Sequence, residues 1–242
     1  MDALGLMRLQ AAEWGLTLTP DRLAYLETYA RFLRDYEEAN VIGTRELRRI
    51  ILDHVLDSLS CFLFGPLGAA RRLADVGSGG GLPGVPIKIV KPGMRITLVE
   101  STAKKARFLR RAAEDLPLED VEVTNARVEE IAHRDEHRGV YDVVTARAVA
   151  GLTVVAEYCV PLLRVGGYAI SMKGRLGDEE IAEGQRAAEK LGARVSDLIP
   201  VPRLPEIEKK ERCLVILKKI EETPAKYPRN VGVPTKKPLG VV

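Results

Sequence analysis

The 242-residue sequence has little cysteine, little aromatic character and no long apolar run. Its three cysteines, Cys61, Cys159 and Cys213, lie far apart and none belongs to a C-x-x-C pair. That spacing leaves neither a zinc site nor a redox dithiol in view, and three reduced, partly buried thiols are expected. Aromatic residues make up 5%, too few for a broad base-stacking surface. No stretch approaches the ~18 consecutive apolar residues that span a bilayer. Residues 1–10 lack the basic-then-apolar order of a signal peptide. A soluble, cytoplasmic chain without membrane attachment is the expectation. Of the three histidines, His133 and His137 have i, i+4 spacing, but they sit in a polar run with no third ligand. A solvated loop and no metal are expected there.

What is present suits one α/β domain with extensions, and a monomer is expected. Hydrophobic residues at 46% are enough for a sizeable core, and the net charge is +3. Residues 218–242 carry six Lys or Arg and two Glu, a net +4, so the other residues sum to −1. A basic end suits a polyanionic partner, or simply a solubilising terminus.

Three regions are predicted. Residues 1–66 read as a helical extension: Leu23, Leu26, Tyr29, Ala30 and Leu33 keep helical spacing after Pro20. A second run covers 44–63, with Thr44 as N-cap, before Gly65-Pro66 breaks it. Residues 67–220 alternate short apolar runs with helical stretches. Strands are predicted at 73–76, 96–99, 121–124, 140–145, 167–172 and 213–217, with 193–201 as one more. Helices are predicted at 84–91, 102–115, 152–164 and 178–191. Such alternation argues for a mostly parallel sheet covered by helices on both faces. Residues 221–242 hold Pro224, Pro228, Pro234 and Pro238, a density that opposes regular structure and predicts an extended tail, either packed along the surface or ordered only on binding.

The segment Leu73-Ala-Asp75-Val-Gly77-Ser-Gly79-Gly-Gly81-Leu-Pro-Gly84 runs from a strand to a helix start. In open α/β sheets, nucleotide-like ligands lie at this turn. Gly79, Gly81 and Gly84 formally satisfy the dinucleotide pattern G-x-G-x-x-G. Asp75, Gly77, Gly79 and Gly81 instead form Asp-x-Gly-x-Gly-x-Gly, which resembles motif I of Rossmann-like methyltransferases. A carboxylate there would repel a pyrophosphate but attract the ammonium and sulfonium of S-adenosylmethionine, so the sulfonium donor is favoured. Glu100 ends the next strand, 19 residues after Gly81, where an acid accepts hydrogen bonds from ribose hydroxyls of either ligand. Val128 and Glu129 follow the third strand, where adenine contacts are common.

The acceptor is less legible. Strand four ends Thr145-Ala-Arg147-Ala-Val, without the Asn/Asp-Pro-Pro-aromatic turn of one amino-methylating class. Cys159 precedes Pro161 in a helix and lies in no motif for pyrimidine carbon methylation. Guanine N7 has a free lone pair and needs no base, so the sequence is compatible with that acceptor.

Several independent stretches resemble the RsmG family, also called glucose-inhibited division protein B. They are His54-Val-Leu-Asp57-Ser58-Leu59, residues 75–86, Lys104-Lys-Ala-Arg-Phe-Leu109, Arg127-Val-Glu-Glu130, residues 145–149, Met172-Lys173-Gly174, Glu211-Arg212, Tyr227-Pro-Arg229 and residues 234–239. The sequence departs from many members at Asn40-Val-Ile-Gly43, where they carry Asn-Leu-Thr. The resemblance implies a Rossmann-like class I methyltransferase with a seven-stranded sheet and an N-terminal helical extension. It implies methylation of guanine N7 in 16S rRNA, at position 527 of conventional rRNA numbering, with the rRNA or small ribosomal subunit as partner. It also implies donor contacts at Gly77, Leu82, Val128, Glu129 and Arg147, with Glu100 on the ribose. Arg147, Lys173 and Arg212 are candidate substrate contacts, and Lys209, Lys210, Lys236 and Lys237 candidate phosphate contacts. Tyr168 and Tyr227 are the nearest aromatics. The competing expectations are a nicotinamide-dependent oxidoreductase and a non-catalytic nucleotide-binding regulator.

Overall fold

The structure, a computed structural model, describes residues 1–116, 118–207 and 211–241. Among these, seven strands form one sheet: β1 (Arg72–Val76), β2 (Arg95–Val99), β3 (Val121–Thr124), β4 (Tyr141–Arg147), β5 (Leu163–Lys173), β6 (Ala193–Pro200) and β7 (Cys213–Lys219). Their spatial order is β3-β2-β1-β4-β5-β7-β6. β1 to β5 run parallel, and β7 lies antiparallel between β5 and β6. The mostly parallel α/β sheet read from the sequence is therefore present.

The helices are α1 (Ala3–Glu13), α2 (Pro20–Asp35), α3 (Leu47–Arg49), α4 (Leu56–Leu59), α5 (Pro66–Ala69), α6 (Gly84–Val90), α7 (Ala103–Asp115), α8 (Val128–Ile131), α9 (Leu152–Cys159), α10 (Asp178–Lys190) and α11 (Val233–Lys236). Pro20 opens α2 where no amide hydrogen bond is required, and Thr19 accepts from the Arg22 amide at 3.4 Å. α7 shows its Lys and Arg to solvent and buries Ala106, Phe108, Leu109 and Ala112, the stripe expected of a surface helix.

Strand parity divides the core into two layers. Leu73, Ile96, Leu98, Val143, Ile170, Leu214 and Ile216 face α2, α6, α7 and the helical run of residues 47–59. Their neighbours Ala74, Val99, Val144, Ala169, Val215 and Leu217 face α8, α9, α10 and the C-terminal segment. The N-terminal helices thus cover one sheet face. Leu26 and Leu33 of α2 are fully buried, each contributing about 1.5–3 kcal/mol relative to exposure.

Four expectations about helical segments are corrected. Thr44 does not cap the second helix: the chain enters at Leu47 after Glu46, and the Thr44 hydroxyl accepts from the Glu46 amide at 3.2 Å. Between α3 and α4, Ile50–Val55 is wound as a π-helix. The predicted helix 152–164 stops at Cys159, because Pro161 forces a short 3-10 turn before β5 begins at Leu163. The tail contains one helical turn, α11, whose Pro234 sits in the first turn where its missing N–H is harmless.

The histidine run is a loop of turns in which residues 133–136 are exposed, as expected, but His137 is not solvated. His137 is buried with Nδ1 2.6 Å from the Tyr141 hydroxyl, and His133 Nε2 lies 2.8 Å from the Pro228 carbonyl. No helix among the described residues is long and apolar enough to cross a membrane.

Candidate functional site

The site lies where β1, β2 and β4 end. The glycine turn leaves β1 with Gly77, Gly79 and Gly81 all at positive φ. At Gly77 a Cβ would lie 2.9 Å from Val149 Cγ2, so the backbone and Val149 can meet only without a side chain. At Gly84 a Cβ would lie 2.5 Å from Leu98 Cδ2, which lets α6 pack directly on β2. The Tyr29 hydroxyl of α2 donates to the Gly80 carbonyl, tying the N-terminal helices to the turn.

The three amides of the formal dinucleotide pattern are all committed internally. Gly79 N–H donates to Glu100 Oε2 at 2.9 Å, Gly84 N–H to Asp75 Oδ2 at 3.2 Å, and Gly81 N–H to the Ser78 carbonyl at 2.7 Å. Two of the three thus point at carboxylates. A pyrophosphate would need those donors and would meet those charges.

Two cavities adjoin along the strand ends. The smaller, about 130 Å³, is lined by Val76, Gly77, Val99, Val128, Glu129 and Tyr158 among others. The larger, about 280 Å³, is lined by Asp57, Arg147, Ser171, Lys173 and Arg212 among others. Val149 borders both.

Gly77, Val128 and Glu129 therefore meet in the smaller groove, and Arg147, Lys173 and Arg212 in the larger cavity. Asp75 lines neither. It is fully buried beneath the turn, accepting from Thr145 Oγ1 at 2.8 Å and from Gly84. Burial lifts its pKa to about 6, against the opposing hydrogen bonds of Thr145 and Gly84. Glu100 is also buried and binds Gly79 with one oxygen and the Thr102 amide, at 2.7 Å, with the other. Leu82 packs partly buried against the helical side of the core.

The cationic side is organised by Asp57, a residue quoted in the sequence only within a longer stretch. Its carboxylate meets Arg203, Arg212 Nε at 3.4 Å and Arg147 Nη2 at 3.7 Å. Arg147 also donates to the carbonyls of His54, at 3.0 Å, and Asp53, at 3.2 Å. Both carbonyls belong to the π-helical turn Ile50–Val55. Lys173 Nζ donates to the Ala150 carbonyl at 2.7 Å and to Glu180 at 2.9 Å, holding the segment after β4. Among the described residues, Asp57 pairs with Arg147, Arg203 and Arg212, and Glu180 pairs with Lys173.

The model of the family described as rRNA small subunit methyltransferase G matches residues 22–204. The chain belongs to this family. A relative named Ribosomal RNA small subunit methyltransferase G from Rubrobacter xylanophilus is 58% identical over 96% of this chain and 89% of its own length. One of the same name from a Roseiflexus species is 44% identical over 95% of this chain and 97% of its own. A solved geranyl diphosphate C-methyltransferase from Streptomyces coelicolor, in complex with S-adenosyl-L-homocysteine, has a TM-score of 0.53 at 16% identity. That match covers 84% of this chain and 98% of the other, and shows a shared fold.

Within this methyltransferase family member, neither tyrosine singled out in the sequence presents a free stacking face. Tyr227 is buried in the core, and half-buried Tyr168 packs edge-on to Phe64 at 4.9 Å. Lys236 and Lys237 are exposed, whereas Lys209 and Lys210 lie outside the described residues. Burial raises the thiol pKa of all three cysteines, which makes them poor nucleophiles. Sequence reading missed Asp57, Arg203, Val149 and Tyr158 as site residues. Asp57 and Val149 lay inside family-like stretches, but Tyr158 looked like one more apolar position of α9.

Proposed function

We propose that this chain transfers the methyl group of S-adenosylmethionine to N7 of a guanine in 16S rRNA, at position 527 of conventional rRNA numbering. It would act as a cytoplasmic monomer on the rRNA or the small subunit. S-adenosylmethionine supplies an electrophilic methyl on a sulfonium centre. The observation that carries this reading is the pairing of an acid-flanked groove with a cation-lined cavity at one sheet edge. In this reading Gly77, Val128 and Glu129 form the nucleoside side, and Glu100 at the β2 end would take the ribose. Asp75 supports the turn from beneath. Arg147, Lys173 and Arg212 face the side from which a polyanion would enter. Arg147, at the junction, suits the donor carboxylate or an RNA phosphate.

Among the described residues, the larger cavity's lining holds no histidine or cysteine, and its one carboxylate, Asp57, is held by arginines. Such a lining suits a nucleophile that needs positioning and exclusion of water instead of deprotonation, as guanine N7 does. In this reading residues 67–220 form the donor-binding unit, residues 1–66 back its glycine turn, and residues 221–242 close its other face. Undermethylated small subunits incubated with the protein and methyl-labelled donor should gain label at one guanine, where the N7-methylated base is open to chemical strand cleavage. Label at another base, or no label, would overturn the reading.

A further inference from the structure

The basic C-terminal segment does not hang free as an RNA-binding arm. Arg138, in the loop before β4, donates to the carbonyls of Thr223 at 2.9 Å and Tyr227 at 2.8 Å. Tyr227 and Leu239 are buried in the same apolar layer as Val128 and Tyr158, which line the smaller groove. Arg186 of α10 donates to the Gly240 carbonyl at 2.7 Å.

Two polar contacts run from this strap to the groove wall. Arg229 grips Glu157 with its side chain at 2.7 and 2.9 Å and with its backbone amide at 2.8 Å. Glu157 is fully buried and immediately precedes Tyr158 in α9. Gly232 N–H donates at 3.0 Å to Glu129 Oε1, on a carboxylate that itself lines the groove. A buried carboxylate is tolerated only with a partner, so Glu157 and the α9 turn carrying Tyr158 are fixed by Arg229. Glu129 has one oxygen committed to Gly232, which sets the orientation of the other.

We infer that Arg229 and Gly232 are positioning residues for the donor groove, acting through Glu157 and Glu129. The inference rests on the donor reading of that groove. By linkage, a ligand that needs an ordered groove must in turn tighten the strap.

Hydrogen exchange on the full chain, with and without S-adenosylhomocysteine, tests this beside a calorimetric titration of the same ligand. Amides of residues 226–237 should exchange at least about threefold more slowly with ligand, while those of the distant edge strand β6 stay unchanged. Binding that leaves the strap's exchange unaltered overturns the inference and spares the donor reading. Absence of binding in the calorimeter removes the donor reading itself, and the inference with it. In kinetics, Arg229→Ala should raise the donor KM about tenfold, with kcat and the RNA KM within about twofold, and Arg229→Lys should recover most of the loss. An unchanged donor KM would also overturn the inference, and if Arg229→Ala fails to fold the exchange result decides alone.

Discussion

Asp75 illustrates how one side chain's direction decides its role. In β1, Leu73 and Asp75 share a face, and Ala74 and Val76 share the other. The groove is lined from the Val76 face, so Asp75 points beneath the turn toward Thr145 and Gly84. The acid was legible in the sequence as a residue type at a strand end. Its direction follows from strand parity once the groove's face is known, which the sequence does not state. Because burial lifts its pKa to about 6 from an ordinary 3.8, the folded state binds a proton more tightly than the unfolded chain. Its ionisation therefore opposes folding: stability falls as pH rises through about 4 to 6, by on the order of 2–3 kcal/mol from this group. Asp75→Asn can keep both hydrogen bonds if its carbonyl faces Gly84 and its amide faces Thr145. Denaturation across that window should show a flatter pH dependence for Asp75→Asn than for the parent, and equal slopes would contradict the assignment.

At the scale of elements, the glycine turn and α6 act as one unit. Gly84 lets α6 lie on β2 with Leu98 in contact. Gly84→Ala should destabilise the protein by about 1–3 kcal/mol through overpacking, read as a lower denaturant midpoint at unchanged slope. An unmoved midpoint would show that Leu98 yields without cost. Most strands were legible, because runs such as Ile96-Thr-Leu-Val99 combine β-branching with clear boundaries. The π-helical winding at Ile50–Val55 was not, because Leu47, Ile50, Ile51 and Val55 fit ordinary helical spacing equally well. The order of the tail was hidden for another reason. Its partners Arg138, Glu157 and Glu129 lie 72 to 103 residues away in sequence for the Glu157 and Glu129 contacts, with those of Arg138 in between.

Over the whole molecule, opposite ends of the chain help cover the two sheet faces: helices of the first 63 residues join α6 and α7 on one, and the C-terminal strap joins α8, α9 and α10 on the other. Both reach the edge where β1, β2 and β4 end, Tyr29 through Gly80 and Gly232 through Glu129. In the proposed reading the donor groove thus depends on both ends of the chain. In that reading the cation-lined cavity beside it would receive the RNA, with affinity that falls as salt rises. The central claim is that this edge binds an adenosylated sulfonium donor with Glu100 at its ribose. Calorimetric titration of the parent and of Glu100→Ala, with S-adenosylhomocysteine and with NAD, tests it most directly. The parent should bind S-adenosylhomocysteine and not NAD, and Glu100→Ala should weaken that binding by about tenfold or more. Binding of NAD without S-adenosylhomocysteine, or an affinity indifferent to Glu100, would contradict it.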